Sequence, residues 1–402
     1  MLLLSFFIKK ISIFASINFI MRLEMRKIIC LCILGYWTCQ MFAQGLTRED
    51  ASMLRAQIVE EWKSSVRREL AEAQQEFTIR KDSFQMKFDA QIFGEKPADG
   101  RSMWISLHGG GGTTTEINNQ QWENQKRLYR PAEGVYVAPR APWDAWDMWF
   151  QRPIDGMYSD LIRLMVANYD VNPNKVYLLG YSAGGDGVWR LAPRLADYWA
   201  ATSMMAGHPG DVRLENLLNT PFMIWMGSND AAYDRNKLAA VRGAQMDSLQ
   251  HAHPDGYIHE THIIQGKGHW MDRMDTVAIS WMAKYKRQPY PKHVIWQQEE
   301  VGKQQFYWIE VPQEDRGYLL DICIKGNVIT INHSDYKHIR LWLNDELVDL
   351  DKKIKVKSSG RTVFKGKLER NERNLRQSIQ ERQDPAYCFP AQVEINTCGC
   401  KN

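Results

Sequence analysis

The spacing of hydrophobic positions changes twice along this chain of 402 residues. Near the start, apolar side chains recur every four residues on an otherwise charged segment, at Leu54, Ile58, Trp62, Val66 and Leu70. A four-residue recurrence places these side chains on one face of a helix. The pattern predicts an amphipathic helix over about 48–76, acting as a brace on the part of the chain that follows.

The middle of the chain alternates between short apolar runs and longer helical patterns. Phe84 to Ile92 alternates apolar and polar positions, which predicts an entry strand. Alternating strands and helices are typical of a mostly parallel sheet with helices on both faces. Apolar runs predict further strands at 103–107, 135–138, 175–179, 201–206, 221–226 and 257–264, and helical patterns lie near 154–168 and 272–285.

After Gln288-Pro-Tyr-Pro-Lys292 the pattern becomes one of short strands separated by turns, which predicts a small, sandwich-like all-β domain. A polar helix is expected near 367–382. The chain therefore divides into an N-terminal helix and linker (46–83), an α/β domain (84–288) and a C-terminal β-rich domain (293–398). The strands predicted in the last domain lie at 294–296, 306–311, 319–324, 328–331, 339–343, 354–356 and 363–364.

The segment Gly180-Tyr-Ser-Ala-Gly184 carries the most specific chemical information. It follows the apolar run 175–179 and precedes a helical pattern. A G-x-S-x-G between a strand and a helix is the nucleophile elbow of the α/β-hydrolase fold, in which a sharp turn exposes the serine hydroxyl. The context predicts that Ser182 is a nucleophile in acyl transfer.

Ser182 needs a base and an acid, which in this fold follow it along the chain in the order Asp or Glu, then His. Asp230 follows the apolar run 221–226, and His269 ends a glycine-rich loop after 257–264. We therefore expect His269 to be the general base and Asp230 to orient it. Rival acids are Asp234, for which helix capping is expected, and Asp186 in the first turn after the elbow; the rival bases are His251, His253, His259 and His262.

A glycine run supplies the candidate oxyanion hole. His108-Gly-Gly-Gly-Gly112 follows the predicted strand 103–107, and an H-G-G-G pattern in this position presents backbone N–H groups to the reacting oxygen. We expect the donors to come from Gly109, Gly110 and the residue after the nucleophile, Ala183. A phosphate-binding loop would continue with Lys and Ser or Thr, but this run continues with threonines.

The segment from Tyr169 to Gly185 resembles the signature of the secreted polyhydroxybutyrate depolymerase and feruloyl-esterase group of α/β-hydrolases, with Asn172 and Lys175 in place of its Asp and Arg. The resemblance covers about residues 84–286. It implies a carboxylic-ester hydrolase that forms a covalent acyl-enzyme on acyl esters of polysaccharides or small aryl or hydroxyalkanoate esters. A peptidase of prolyl-oligopeptidase type and a non-catalytic carbohydrate-binding protein are the alternatives.

The first 43 residues resemble an export leader. After an apolar stretch at 1–20, Met25-Arg-Lys27 begins a second unit with a charged start, a short apolar core and a small residue at Ala43. We expect Met25 to be the start, cleavage after Ala43, and a secreted or periplasmic chain without a spanning segment. A membrane anchor at 1–20 or a lipid at Cys39 is the lesser alternative.

Removing this leader changes the charge of the protein. It carries five of the 51 basic and one of the 47 acidic residues, which leaves 46 of each in the mature chain. A neutral chain gives no electrostatic case for binding nucleic acid. Four cysteines remain (Cys323, Cys388, Cys398 and Cys400), whose pairing the sequence leaves open, and neither a metal nor a cofactor is expected.

Aromatic residues provide candidates for substrate contact. Trp143, Trp146 and Trp149 lie in the loop after the predicted strand 135–138, at the edge of the sheet that faces the site. Indole faces suit sugar rings, aryl groups or polymer chains, but large aromatics also fill ordinary cores. His208, after the run 201–206, is a further candidate for the pocket and could equally cap its own loop.

Overall fold

The computed structural model describes residues 45–299 and 301–397, and residues from Arg48 onward belong to one compact unit. The predicted leader and the cysteines at 398 and 400 lie outside the described residues. No helix in the described ranges has the length and apolarity needed to cross a membrane.

The N-terminal helical pattern forms two helices rather than one. Helix α1 spans Arg48–Glu69 and buries Ile58, Trp62 and Val66, as the four-residue spacing predicts. Leu70 leaves helical torsion angles, and the short helix α2 (Ala71–Glu76) follows. The predicted helix over 48–76 is therefore interrupted near its end, where the chain turns toward the first strand.

The central layer is an eight-stranded, mostly parallel sheet in the order β1-β2-β4-β3-β5-β6-β7-β8. The pairs β1–β2 and β2–β4 are antiparallel, and every pair from β4–β3 to β7–β8 is parallel. The strands are β1 (Thr78–Lys81), β2 (Phe84–Phe93), β3 (Arg101–Leu107), β4 (Gly134–Pro139), β5 (Val171–Tyr181), β6 (Ala201–Met205), β7 (Phe222–Gly227) and β8 (His259–Ile264).

Helices connect the parallel strands, and the chain has the α/β-hydrolase fold expected from its sequence. Strands β3 to β7 are almost wholly buried, which explains why they read as continuous apolar runs. The segment predicted as a helix near 272–285 forms only a short one. The helices are α3 (Thr115–Gln125), α4 (Ile154–Asn168), α5 (Ala183–Arg194), α6 (Arg235–Ala252) and α7 (Val277–Met282).

The C-terminal part adds a four-stranded and a five-stranded sheet, which share one hydrophobic core. Pairings are antiparallel except between β13 and β15. The polar helix predicted near 367–382 is α8 (Glu372–Arg382). The strands are β9 (His293–Gln297), β10 (Gln305–Phe306), β11 (Ile309–Glu310), β12 (Leu319–Lys325), β13 (Val328–Ser334), β14 (His338–Leu343), β15 (Ile354–Ser358), β16 (Arg361–Gly366) and β17 (Ala391–Asn396).

Buried charges join the two β-containing parts. Asp197, just after α5, is almost fully buried and accepts hydrogen bonds from Lys303 (2.5 Å), Arg382 (3.2 Å) and the backbone N–H of Tyr307 (3.3 Å). One carboxylate of the α/β part thus satisfies donors from three places in the C-terminal part. Removing one member of such a buried cluster costs more folding free energy than breaking a surface ion pair, because a buried charge would be left without a partner.

Helix α1 contacts both parts as well. Arg67 donates from Nε to the carbonyl of Ala167 at the end of α4 (2.7 Å), and Trp62 donates from Nε1 to Gln383 after α8 (3.1 Å). The contact with α4 agrees with the predicted brace on the α/β part. The contact with the C-terminal part was not expected from the sequence.

Of the four cysteines that follow the predicted leader, two lie in the described ranges. Cys323 is half-buried on β12 and Cys388 is buried after α8, and both are free thiols. The pairing of these two with each other, one of those the sequence leaves open, is therefore not formed.

Candidate active site

Ser182 occupies a strained turn between β5 and α5. Its torsion angles are φ 60° and ψ −122°, a region that residues with a Cβ rarely adopt. The turn is held by a hydrogen bond from its N–H to the carbonyl of Met205 on β6 (2.9 Å). The strain projects the side chain out of the sheet edge, as the G-x-S-x-G motif predicts.

Gly184 shows why small residues flank this turn. A Cβ at Gly184 would lie 2.1 Å from the carbonyl oxygen of Leu107, the last residue of β3. No side chain fits at that distance, so only glycine lets the start of α5 rest on the neighbouring strand. The close contact also brings the chain after Leu107, which contains the glycine run, next to Ser182.

The structure brings Ser182, His269 and Asp230 into a hydrogen-bonded row. Nε2 of His269 lies 2.9 Å from Oγ of Ser182, and Nδ1 lies 2.7 Å from Oδ2 of Asp230. A carboxylate can only accept, so Nδ1 carries the proton and Nε2 is free to accept the hydroxyl proton of Ser182. This is the tautomer that a general base requires.

The environments of the acid and the base differ in a useful way. The side chain of Asp230 is 2 % exposed, whereas that of His269 is 44 % exposed. A buried carboxylate stabilises a positive charge on His269 more strongly than an exposed one, because less water screens the pair. The exposed imidazole leaves the site open to a bulky ligand.

Hydrogen bonds between loops fix the position of His269. The N–H of Asn229, next to the acid, donates to the carbonyl of Lys267 (2.8 Å). The hydroxyl of Tyr181 donates to the carbonyl of His269 (2.7 Å) and accepts from the N–H of Met271 (3.2 Å). Sequence reasoning did not assign Tyr181 this role, since it stands at a variable position of the motif.

The glycine run lies directly against the nucleophile. The Cβ position of Gly109 is 3.2 Å from Cβ of Ser182, and Gly110 and Gly111 have φ of +106° and +107°. These angles favour glycine. The N–H of Gly111 donates to Asn118 (2.9 Å) and is therefore engaged, whereas Gly109 and Gly110 stay the predicted donors of this loop.

Ala183 fits the second predicted source of a donor. It is the first residue of α5, and the first amides of a helix have no acceptor within the helix. The positive end of the helix dipole also favours negative charge at this point. The arrangement can accept an oxyanion next to Ser182, and the assignment of Gly109, Gly110 and Ala183 as its donors stays a prediction.

His108, which begins the glycine run, has a structural place. Its Nε2 accepts the N–H of Ala141 (3.1 Å), so the proton is on Nδ1, which donates to the carbonyl of Gly109 (2.6 Å). Burial lowers the pKa of His108 to about 3, because a charged imidazole cannot be solvated there. A neutral His108 thus ties the glycine run to the loop after β4.

Comparison with known protein families and with curated proteins finds no match for this sequence. Solved structures of esterases resemble about half of the chain. A thermostable esterase shares 16 % identity at a TM-score of 0.43 over 52 % of this chain and 62 % of that chain. This chain therefore covers less than two thirds of that esterase.

Two other solved structures are equally distant. An acetyl xylan esterase from Aspergillus awamori shares 10 % identity at a TM-score of 0.36, over 51 % of this chain and 98 % of that chain. A ferulic acid esterase shares 15 % identity at a TM-score of 0.33, over 50 % and 97 %. At these values the likeness says nothing about the substrate of this chain.

The three tryptophans expected to contact substrate have different positions. Trp149 is fully buried and donates from Nε1 to the carbonyl of His108 (2.9 Å), so the expectation of substrate contact is wrong for this residue. Through this hydrogen bond Trp149 supports the residue that begins the glycine run. Trp143 is half-buried against Phe84 with ring centroids 4.9 Å apart, and Trp146 is exposed beside the glycine run.

His208 caps its own loop, and its predicted contact with substrate stays a prediction. Its Nδ1 accepts the N–H of Gly210 (3.0 Å), and its backbone N–H donates to Asp186 (2.6 Å). The carboxylate of Asp186, a rival acid in the first turn of α5, accepts this bond, whereas His269 is paired with Asp230. Burial raises the pKa of Asp186 to about 6, which outweighs the hydrogen bond and the nearby cations.

The remaining rivals do not reach Ser182. Asp234 makes no capping hydrogen bond and pairs with Lys237 (2.8 Å), so the predicted capping is wrong; a capping residue has extended torsion angles, whereas Asp234 is left-handed with φ 55°. His259 pairs with Asp247, and His262 stacks on Trp225. Within the described ranges no three His, Cys, Asp or Glu are grouped to hold a metal.

Asn118 holds the glycine run in place, a role that the sequence did not indicate. Its buried side chain accepts from the N–H of Gly111 (2.9 Å) and donates to the carbonyl of the same residue (3.0 Å). Replacing Asn118 by alanine is expected to lower kcat for p-nitrophenyl acetate by about 10- to 100-fold, because the neighbouring amides lose their fixed direction.

The matched control for this variant is Asn124→Ala, on the exposed face of the same helix. It should leave kcat unchanged. Equal rates for the two variants, with both proteins folded, would show that the glycine run keeps its geometry without Asn118.

Acid should destabilise the protein through His108. In the unfolded chain its pKa is about 6.5, and in the folded chain about 3. A lowered pKa stabilises the folded state above pH 6.5, and this stability is lost as the pH falls toward 3. We expect a loss of about 3 kcal/mol in unfolding free energy between pH 7 and pH 4 from this residue.

The measurement compares chemical denaturation of the wild type and His108→Gln across that range. At pH 7 the unfolding free energy of the variant should be lower than that of the wild type, because the variant lacks one of the two ring contacts. Its unfolding free energy should, however, fall less steeply as the pH is lowered. Parallel curves would mean that His108 does not carry the acid dependence.

Proposed function

We propose that this protein is a serine carboxylic-ester hydrolase that forms an acyl-enzyme on Ser182. The observation that carries the proposal is the hydrogen-bonded row from Ser182 through His269 to the buried Asp230, with distances of 2.9 and 2.7 Å. His269 takes the hydroxyl proton as Ser182 attacks the carbonyl carbon, then gives it to the leaving alcohol. In the second step His269 takes a proton from water, and the water attacks the carbonyl carbon of the acyl-enzyme. His269 then returns the proton to the oxygen of Ser182, and the acid is released.

The glycine run supports an acyl-transfer reaction over other uses of a serine. The amides of Gly109, Gly110 and Ala183 are the proposed donors to the tetrahedral oxyanion. Loss of one such donor costs about 3–4 kcal/mol in barrier height in enzymes of this kind. A non-catalytic carbohydrate-binding protein would have no need for this combination of strained serine, ordered base and glycine run.

The open site supports acyl esters of polysaccharides, or small aryl or hydroxyalkanoate esters, as the substrate class. His269 is partly exposed. Three loops of the site carry exposed aromatic side chains: Trp146 lies in the loop next to the glycine run, Tyr233 in the loop of the acid and Trp270 in the loop of the base. Such rings stack on sugar or aryl faces. We further propose that the chain is exported, with residues 1–43 as its leader.

A covalent probe and an ester panel test this function together. A fluorophosphonate should label the protein at one site, and peptide mass spectrometry should locate the label on Ser182. p-Nitrophenyl esters of increasing chain length and methyl ferulate should be hydrolysed, with the labelled protein inactive. Labelling elsewhere, or a folded protein that cleaves none of these esters, contradicts the proposal; cleavage of peptides alone would favour the peptidase alternative.

A further inference from the structure

The hairpin of β15 and β16 lies in a strongly basic segment of the chain. Residues 352–367 contain seven basic and no acidic side chains. The whole chain has 51 basic and 47 acidic residues, so this excess is local. A run of like charges is either a solvated surface or a site for a partner of opposite charge, and the position of the side chains in the fold distinguishes the two.

Four lysines lie on the solvent side of the five-stranded sheet. Buried and half-buried residues alternate along β15, and Lys355 and Lys357 are on the side turned away from the core. Lys355 is directly opposite Lys365 on β16 and Val328 on β13. Val328 is in turn opposite Lys325 on β12. We call the group of Lys325, Lys355, Lys357 and Lys365 the lysine face.

The lysine face has no acidic partner. Within residues 45–299 and 301–397, none of its four members forms an ion pair or donates a side-chain hydrogen bond. The carboxylate on the same side of β12, that of Asp321, accepts hydrogen bonds from His293 (2.8 Å) and Asn332 (3.0 Å) instead. The four ammonium groups are therefore available to a ligand.

The acids at the ends of the hairpin do not neutralise the lysine face. Asp349 pairs with Lys352 (2.8 Å), and Asp351 pairs with Arg370 (2.8 Å). Glu369 is exposed three residues beyond β16 and offsets at most one charge. Three further cations belong to the same basic segment: Lys353, Arg361 and Lys367. This side of the sheet is therefore electropositive.

The stability of the sheet does not account for this arrangement. Like charges directly opposite one another on neighbouring strands destabilise a sheet, and Lys355 and Lys365 form such a pair. Lysines commonly protect an edge strand from pairing with other chains, which accounts for Lys365 on the edge strand β16. β15 is paired on both sides and needs no such protection. An anion bound between the lysines would remove their repulsion.

We infer that the lysine face binds an acidic polysaccharide, a polymer whose sugars carry carboxylates at regular intervals. Neighbouring strands lie about 4.8 Å apart, so the lysines present cations at one or two strand spacings, comparable with the repeat of a chain of sugar rings. An ammonium group attracts a carboxylate as a point charge from many directions, which suits a flexible polymer. This binding does not depend on the proposed ester hydrolysis.

The sheet fits two other anionic partners less well. Surfaces that bind single-stranded nucleic acid combine cations with aromatic rings on which bases stack. The positions between and beside the lysines are instead Val328, Thr330 and Thr362. Surfaces that bind membranes add apolar side chains that enter the lipid layer. Among residues 319–397 no large apolar side chain is exposed.

The test compares polygalacturonate with its carboxyl-reduced form, which has the same backbone without the charges. Native electrophoresis in gels that contain increasing amounts of either polymer gives Kd. The wild type should be retarded by polygalacturonate alone, and less so as salt rises. The double variant Lys355→Gln, Lys357→Gln should raise Kd by about 3- to 10-fold. Its melting temperature should equal or exceed that of the wild type, because one repulsive pair is lost.

Two further double variants serve as controls. Lys87→Gln with Lys284→Gln removes the same charge from exposed positions of the α/β part and should keep the wild-type Kd. Lys355→Arg with Lys357→Arg keeps the charge of the lysine face and should also bind as the wild type does. Because β15 is an interior strand, none of these variants changes the protection of the sheet edge.

The remaining outcomes contradict the inference or leave it separate from the esterase. Equal retardation by both polymers, or an unchanged Kd for Lys355→Gln with Lys357→Gln, overturns it. Tighter binding to duplex DNA or to phosphatidylglycerol vesicles, lost in the same variant, overturns the polysaccharide as the partner. A protein that binds polygalacturonate through these lysines but cleaves no ester supports this inference and overturns the proposed esterase alone.

Discussion

Replacing Ser182 by alanine should reduce ester hydrolysis by about 10⁴- to 10⁶-fold, with the fold retained. The variant removes the atom that would form the acyl bond, while the amides near Gly109 and Ala183 still bind the substrate. The residual rate reflects that binding alone. Alanine also lacks the hydroxyl that donates to Nε2 of His269, but no buried group loses a partner, because this side of the site is open.

The measurement is the initial rate with p-nitrophenyl acetate, together with circular dichroism and the melting temperature. The control is Ser248→Ala, an exposed serine of α6 whose hydroxyl bonds only to its own helix. It should retain full activity. A Ser182→Ala protein with more than a few per cent of the wild-type rate would exclude Ser182 as the nucleophile.

Replacing Asp230 by asparagine should lower kcat by about 10⁴-fold. The side chains have the same shape, so the buried position is still filled. An amide has no negative charge to stabilise the imidazolium of His269, and its N–H₂ group can force the other ring tautomer. Nε2 would then carry the proton and could not accept the one from Ser182.

The rival acid supplies the control for this prediction. Asp234→Asn changes an exposed carboxylate on the same loop, which is paired with Lys237 and has no contact with His269. It should leave kcat unchanged. A large loss in Asp234→Asn together with a small loss in Asp230→Asn would reverse the assignment of the acid.

The sequence predicted the strands, the α/β fold and the meeting of Ser182, Asp230 and His269 because these features depend on local patterns. Parallel strands end at one edge of a sheet, so residues that follow β5, β7 and β8 must lie near one another. The apolar runs located these strands to within a few residues. The periodicity of the sequence shows the order of strands and helices, and this order determines which side chains lie close together.

The sequence could not predict features that depend on which distant side chain fills a space. Trp149 and Trp146 stand three residues apart in one loop, yet one is fully buried and the other exposed. The role of Asn118 depends on the torsion angles of Gly111, and that of Tyr181 on the path of the loop carrying His269. Asp234 adopts a left-handed conformation that its neighbours in sequence do not signal.

Asp197 has a consequence for how the two parts depend on each other. Its carboxylate is almost fully buried and is shared by Lys303, Arg382 and Tyr307, all contributed by the C-terminal part. Deleting the C-terminal part would remove all three partners of this carboxylate at once and uncover the surface that they share with it. The α/β part is therefore expected to be less stable without the C-terminal part, and a ligand held on the β sheets would lie at a fixed distance from Ser182.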